Sequence, residues 1–131
     1  MNNTYRPEFI KNSGLDFNWN KSKIWELKNI PIEDISVSEI EWQLDLLFWH
    51  DGDKKYCVSP RNVLIDIEKY PKHKDRIFTA DTDFPIDLMR NLEGKLEILD
   101  GLHRLCRLVI EGRKEVKVRK ISRDLIPMLI D

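Results

Sequence analysis

Apolar and polar positions follow two different rhythms along this chain, and the sharpest change between them falls at Leu99 to Leu102. Leu96, Ile98 and Leu99 form a short apolar run, Asp100-Gly101 interrupts it, and Leu102, Leu105, Cys106, Val109 and Ile110 then recur at helical spacing. The run predicts a strand, the dipeptide a tight turn, and the recurrence a helix with one apolar face. His103, Arg104, Arg107 and Glu111 fall on its other faces, and Gly112 ends it as the C′ residue.

The same reading extends in both directions. Residues 1–23 are rich in Asn and carry no period, which predicts an N-terminal arm, with Phe9, Ile10, Leu15, Phe17 and Trp19 able to pin it to a domain spanning 24–131. Trp25, Leu27, Ile30 and Ile32 predict a first strand that continues irregularly through Ile35 and Val37. The stretch Glu41 to Trp49 is too apolar for a surface loop, and core packing is the expected role of Trp25, Trp42 and Trp49. A turn at 50–55 leads to a short edge strand over Tyr56 to Val58. Ser59-Pro60 starts a helix, with Ser as cap and Pro in the first turn, that stops near Tyr70-Pro71. A second helix is expected over Lys72 to Thr79, strands over Ile86 to Asn91 and Lys95 to Leu99, and a half-buried strand at Val116 to Ile121, with an apolar tail from Leu125 to Ile130 packing back.

Chemistry enters at the strand-to-helix corner. Glycine there allows backbone to approach a ligand closely, and the free N–H groups of a helix's first turn attract anions. The segment therefore reads as a phosphate cradle built from Asp100, Gly101, Leu102, His103 and Arg104. An arginine in a first helical turn opposes the macrodipole, and a bound anion removes the conflict. Asp100 either caps the turn, or orients His103, or holds a magnesium ion that accompanies a nucleotide. Arg107 is equally well a solvated helix residue.

Asp100-Gly101-Leu102-His103-Arg104 after a strand resembles the signature loop of the ParB/sulfiredoxin superfamily, and Phe84-Pro85-Ile86-Asp87 resembles the Pro-Ile that opens the preceding strand there. The resemblance covers roughly Trp25 to Ile121 and implies a small mixed α/β fold in which the loop holds nucleotide phosphates. It is nearer to the Asp-Gly-x-His-Arg members and the free-serine kinases than to sulfiredoxin or ParB. Leu102 stands where sulfiredoxin has its catalytic cysteine and ParB its glutamate, so cysteine sulfinic acid reduction is expected to be absent. The resemblance also makes Arg76, Asp81 and Asp83 pocket candidates, where sequence alone reads ordinary surface charges.

Composition narrows the function. At 131 residues one domain is expected, and 22 Lys plus Arg against 23 Asp plus Glu give a net charge of −1. That balance disfavours nucleic acid as a partner, because phosphate neutralisation needs a basic excess. Cys57 and Cys106 alone make no disulfide framework, and no apolar leader or span is present, so a cytoplasmic protein without a membrane partner is expected. The three histidines and two cysteines share no metal-ligand spacing. Lys72-His73-Lys74 reads as a solvated basic cluster.

The function expected is therefore nucleotide binding, with ATP or another nucleotide and Mg2+, in a phosphotransferase acting on a small hydroxylated metabolite. Its general base is expected among Glu41, Asp45 and Asp81, with Asp100 assisting. Glu41 comes first because apolar neighbours raise a carboxylate pKa. A non-catalytic nucleotide-binding regulatory module is the alternative, and a ParB-type DNA-associated protein comes last.

Overall fold

A four-stranded mixed sheet with helices on both faces, beside a separate two-stranded hairpin, makes up the computed structural model, which describes residues 17–131. The described chain runs α1 (Lys21–Trp25), β1 (Ile32–Ser36), two 3-10 turns (Val37–Glu39 and Glu41–Asp45), β2 (Trp49–Asp51), β3 (Lys54–Val58) and α2 (Pro60–Ile65). A third 3-10 turn (Ile67–Lys69) leads to α3 (Pro71–Phe78), β4 (Ile86–Arg90), β5 (Leu96–Asp100), α4 (Leu102–Ile110) and β6 (Glu115–Lys120), then a fourth (Arg123–Leu125) and α5 (Ile126–Leu129). The class is mixed α/β, as the alternation of rhythms predicts. Phe9, Ile10 and Leu15 lie outside the described residues.

The sheet order is β1-β6-β4-β5, with β6 and β4 parallel and the outer pairs antiparallel. Successive side chains in a strand point to opposite faces. Ile86, Leu88, Leu96, Ile98, Val116 and Val118 accordingly join the larger core, together with Leu105 and Cys106 of α4 and Ile77 of α3. Met89, Leu99 and Ile121 face a smaller core with Ile24 of α1 and Leu129 of α5. β5 is an edge strand, and Gln43, fully buried, covers part of that edge. Its side-chain amide donates to Leu96 O at 3.0 Å and accepts from Ile98 N at 2.6 Å, standing in for a neighbouring strand.

Several local expectations hold with shifts that have physical reasons. Ser59 and Asn62 form a reciprocal capping box at α2, and Pro71 opens α3. The helix begun at Pro60 stops at Ile65 rather than Tyr70, and a 3-10 turn fills the gap. Gly112 closes α4 in a Schellman motif, with Gly112 N–H donating to Val109 O and Arg113 N–H to Leu108 O. The buried side of α4 is rotated from the expected one: Leu108 is buried and Ile110 is exposed.

The N-terminal reading needs more revision. The strand expected from Trp25 begins only at Ile32, and Lys21–Trp25 is a helix capped by Asn20, whose side chain accepts from Ser22 N. Asn20 N donates in turn to Leu129 O, and Phe17 and Trp19 pack on the smaller core. Trp25 is not a core residue, being 61% exposed. Among the described residues no helix is long and apolar enough to cross a membrane.

Candidate functional site

Gly101 is the N-cap of α4, at φ 117°, in the left-handed region. A Cβ there would meet Ile86 Cγ1 at 3.0 Å, so the corner requires glycine on grounds of both conformation and space. No side chain caps the helix, so the first-turn N–H groups have no side-chain partner. The residues of that first turn, Gly101 to Arg104, line a cavity of about 620 Å³, within the range of small-molecule sites.

The walls of the cavity come from distant parts of the chain. Trp19, Lys21 and Trp25 arrive from α1 and the residues before it, Trp49 and Tyr56 from the hairpin, and Arg76 from α3. Asp100, Gly101, Leu102, His103 and Arg104 all line it, so the structure gathers the whole predicted loop with Arg76. Arg76 makes no hydrogen bond or ion pair among the described residues, and Lys21 Nζ stands 3.7 Å from Asp100 Oδ1.

Asp100 does not cap the helix. Its Oδ2 accepts from Trp25 Nε1 at 2.7 Å and from an Arg104 terminal nitrogen at 3.1 Å. Arg104 also donates to Pro85 O, which ties the corner to the start of β4. A β-bulge sets this position: Leu88 faces Ile98 but Asp87 faces Asp100, so Leu99 is an extra residue in β5.

His103 is built into a stack. Its ring lies flat on Trp49, with centroids 4.4 Å apart, and His73 lies flat on the same indole at 4.3 Å. His73 Nε2 is 2.9 Å from His50 O, and a carbonyl only accepts, so that nitrogen carries the proton. With that proton on Nε2, His73 Nδ1 is the acceptor and His103 Nε2, 3.2 Å away, the donor. Burial first, then the charges of Arg76 and Lys21, pushes the His103 pKa down to about 3. The ring is therefore neutral at pH 7, with its proton committed to His73 and its Nδ1 bare.

The structure does not bring the three expected bases here. Glu41 and Asp45 sit in a 3-10 turn that does not line the cavity, and Asp45 is paired with Arg61 at 3.1 Å. Asp81 is exposed and accepts from Asp83 N. Arg107 turns away, donating to Glu111 and to Phe78 O. Burial pushes the Cys106 thiol up to about 12, so it is not a thiolate at neutral pH. Among the described residues no group of three His, Cys, Asp or Glu side chains is placed to hold a metal ion.

No family model, curated protein or solved structure matches this chain.

The sequence reading missed Lys21, Trp25, Trp49, Tyr56 and His73 as cavity or stack residues. For His73 the signal was present but faint, since a histidine between two lysines at the start of α3 looks the same in sequence whether solvated or stacked.

Proposed function

We propose that the cavity binds a nucleotide and that the protein is a phosphotransferase acting on a small hydroxylated metabolite, in a fold of the ParB/sulfiredoxin type. One observation carries the reading: Arg76, without a partner among the described residues, lines the same cavity as the uncapped N-terminus of α4. Cations and helix N–H groups converging on one space suit a phosphate chain. The indoles of Trp19 and Trp25 supply flat apolar surface for a base. Such a ligand neutralises Arg76 and Lys21, which relieves two of the causes that hold His103 unprotonated. His103 Nδ1 then takes up a proton and donates to a phosphate oxygen.

No ready-made cage for magnesium is formed by these residues. An ion that travels with the nucleotide would be carried mainly by its phosphates, with Asp100 Oδ1 as the protein oxygen. A second reading, a regulatory module that binds a nucleotide without turnover, is favoured by the absence of Glu41, Asp45 and Asp81 from the residues that line the cavity.

The test is a thermal-shift screen with adenine, guanine and cytosine nucleotides, with and without magnesium, followed by calorimetry. A selective rise in Tm is expected, because a ligand that binds only the folded state stabilises it by mass action. Arg76→Ala is expected to weaken binding by about 1.5–3 kcal/mol. No stabilisation by any nucleotide would reject the reading, and binding without phosphoryl transfer to any hydroxylated metabolite would favour the regulatory module.

A further inference from the structure

A second cavity, of about 510 Å³, shares Trp25 and Arg104 with the first. Its rim is apolar and open: Trp25, Ile32 and Phe84 are each about 60% exposed. Its charged lining is different in kind, because Asp87 is 3% exposed and has Arg119 directly opposite on β6 and Asp100 directly opposite on β5.

The hydrogen bonds there leave one atom over. Each nitrogen of Arg119 has a partner, with Nε donating to Asp87 Oδ1 at 2.6 Å and its two terminal nitrogens to Leu27 O and Ile24 O. Arg104 is held by Pro85 O and Asp100. No hydrogen bond among the described residues reaches Asp87 Oδ2. That oxygen is not sealed from solvent, so a donor entering the cavity that Asp87 lines can reach it.

The surroundings decide what would complete it. A ligand carboxylate would meet the carboxylate of Asp87, and a ligand ammonium would meet the guanidinium groups of Arg104 and Arg119, all of which line this cavity. A neutral hydroxyl avoids both conflicts and brings the donor that Oδ2 lacks. The apolar rim suits a short carbon skeleton. We infer that this second cavity is the acceptor site, taking a small alcohol whose hydroxyl donates to Asp87 Oδ2 and whose carbon chain lies against Trp25 and Phe84. Its role as acceptor rests on the phosphotransferase reading above, whereas the binding of an alcohol does not.

The experiment is a ¹H–¹⁵N NMR titration of the whole chain with three probes of similar shape: 1-butanol, butylammonium and butyrate. Saturable shifts by 1-butanol at Ile30, Ile32, Phe84 and Asp87 are expected, with the two charged probes about tenfold weaker. Asp87→Asn and Phe84→Ala should each weaken 1-butanol by about tenfold. Phe84 is exposed, so its variant keeps the test valid if Asp87→Asn does not fold. Equal response to all three probes, or unchanged binding by Phe84→Ala, overturns the site. ATP is titrated on the same samples, read at Gly101 to Arg104. Binding of ATP without 1-butanol overturns only the inference made here. Binding of 1-butanol without any nucleotide removes the acceptor role together with the proposed function, and keeps the alcohol site.

Discussion

His103 Nε2 lies 3.2 Å from His73 Nδ1, and that contact fixes which ring nitrogen of His103 has a proton to give. A histidine placed in a helix first turn as a phosphate donor is instead a neutral ring with an unprotonated nitrogen. Anion binding must therefore bring a proton with it. Calorimetry of ATP binding in two buffers of different ionisation heat should show proton uptake, and binding should tighten as pH falls. The comparison that isolates this effect is His103→Gln, which should lose the extra uptake. Identical uptake in the two proteins would remove His103 from the phosphate site.

Folding should feel the same ring. The folded-state pKa of His103 is lowered from 6.5 to about 3, so between those values the unfolded chain binds the additional proton. Its stabilising contribution is present above the ordinary histidine pKa and is lost as pH falls toward 3. The slope is at most about 1.4 kcal/mol per pH unit for one proton. Urea unfolding at several pH values from neutral to mildly acidic should show this slope in the natural protein and a shallower one in His103→Gln.

Gly101→Ala should cost about 1–3 kcal/mol through backbone strain, with the contact against Ile86 adding to it. Because the substitution moves the first turn of α4, nucleotide binding should fall further than stability does. Chemical denaturation and calorimetry on one preparation separate the two losses.

Gln43→Leu should be among the more damaging single changes in the molecule. It keeps the volume but orphans Leu96 O and Ile98 N on the edge of β5, at about 1–3 kcal/mol for each group that finds no water. Hydrogen exchange should show β5 opening more readily than β6 in that variant. Equal protection of the two strands would mean that solvent replaces the glutamine without penalty.

The corner at Leu99 to Leu102 was legible in sequence because it depends on neighbours: a strand run, an Asp-Gly turn and a helical period lie within a dozen positions. Ser59-Pro60 and Gly112 were legible for the same reason. The other cavity walls were not, since Lys21, Trp25, Trp49 and Tyr56 come together only in the folded chain. Trp25 illustrates the limit well. Its size argues for the core, yet its indole N–H is used on Asp100 and most of its surface is left open. Glu41 fails in the opposite sense: the apolar neighbours that recommended it as a base belong to a turn whose buried members are Gln43 and Leu44.

Arg119 gives the molecule an order of assembly. Its guanidinium holds the carbonyl groups of Ile24 and Leu27, and through them the segment that carries Lys21 and Trp25 to the cavity. A ribosome adds Arg119 to the chain 92 residues after Leu27. During synthesis the wall near the N-terminus can meet Leu99 and Asp100 of β5 first, and it gains the guanidinium of Arg119 only once β6 has emerged. The nascent chain thus has its glycine corner before the last anchor of the cavity wall, and the cavity takes its final form only when β6 completes the sheet.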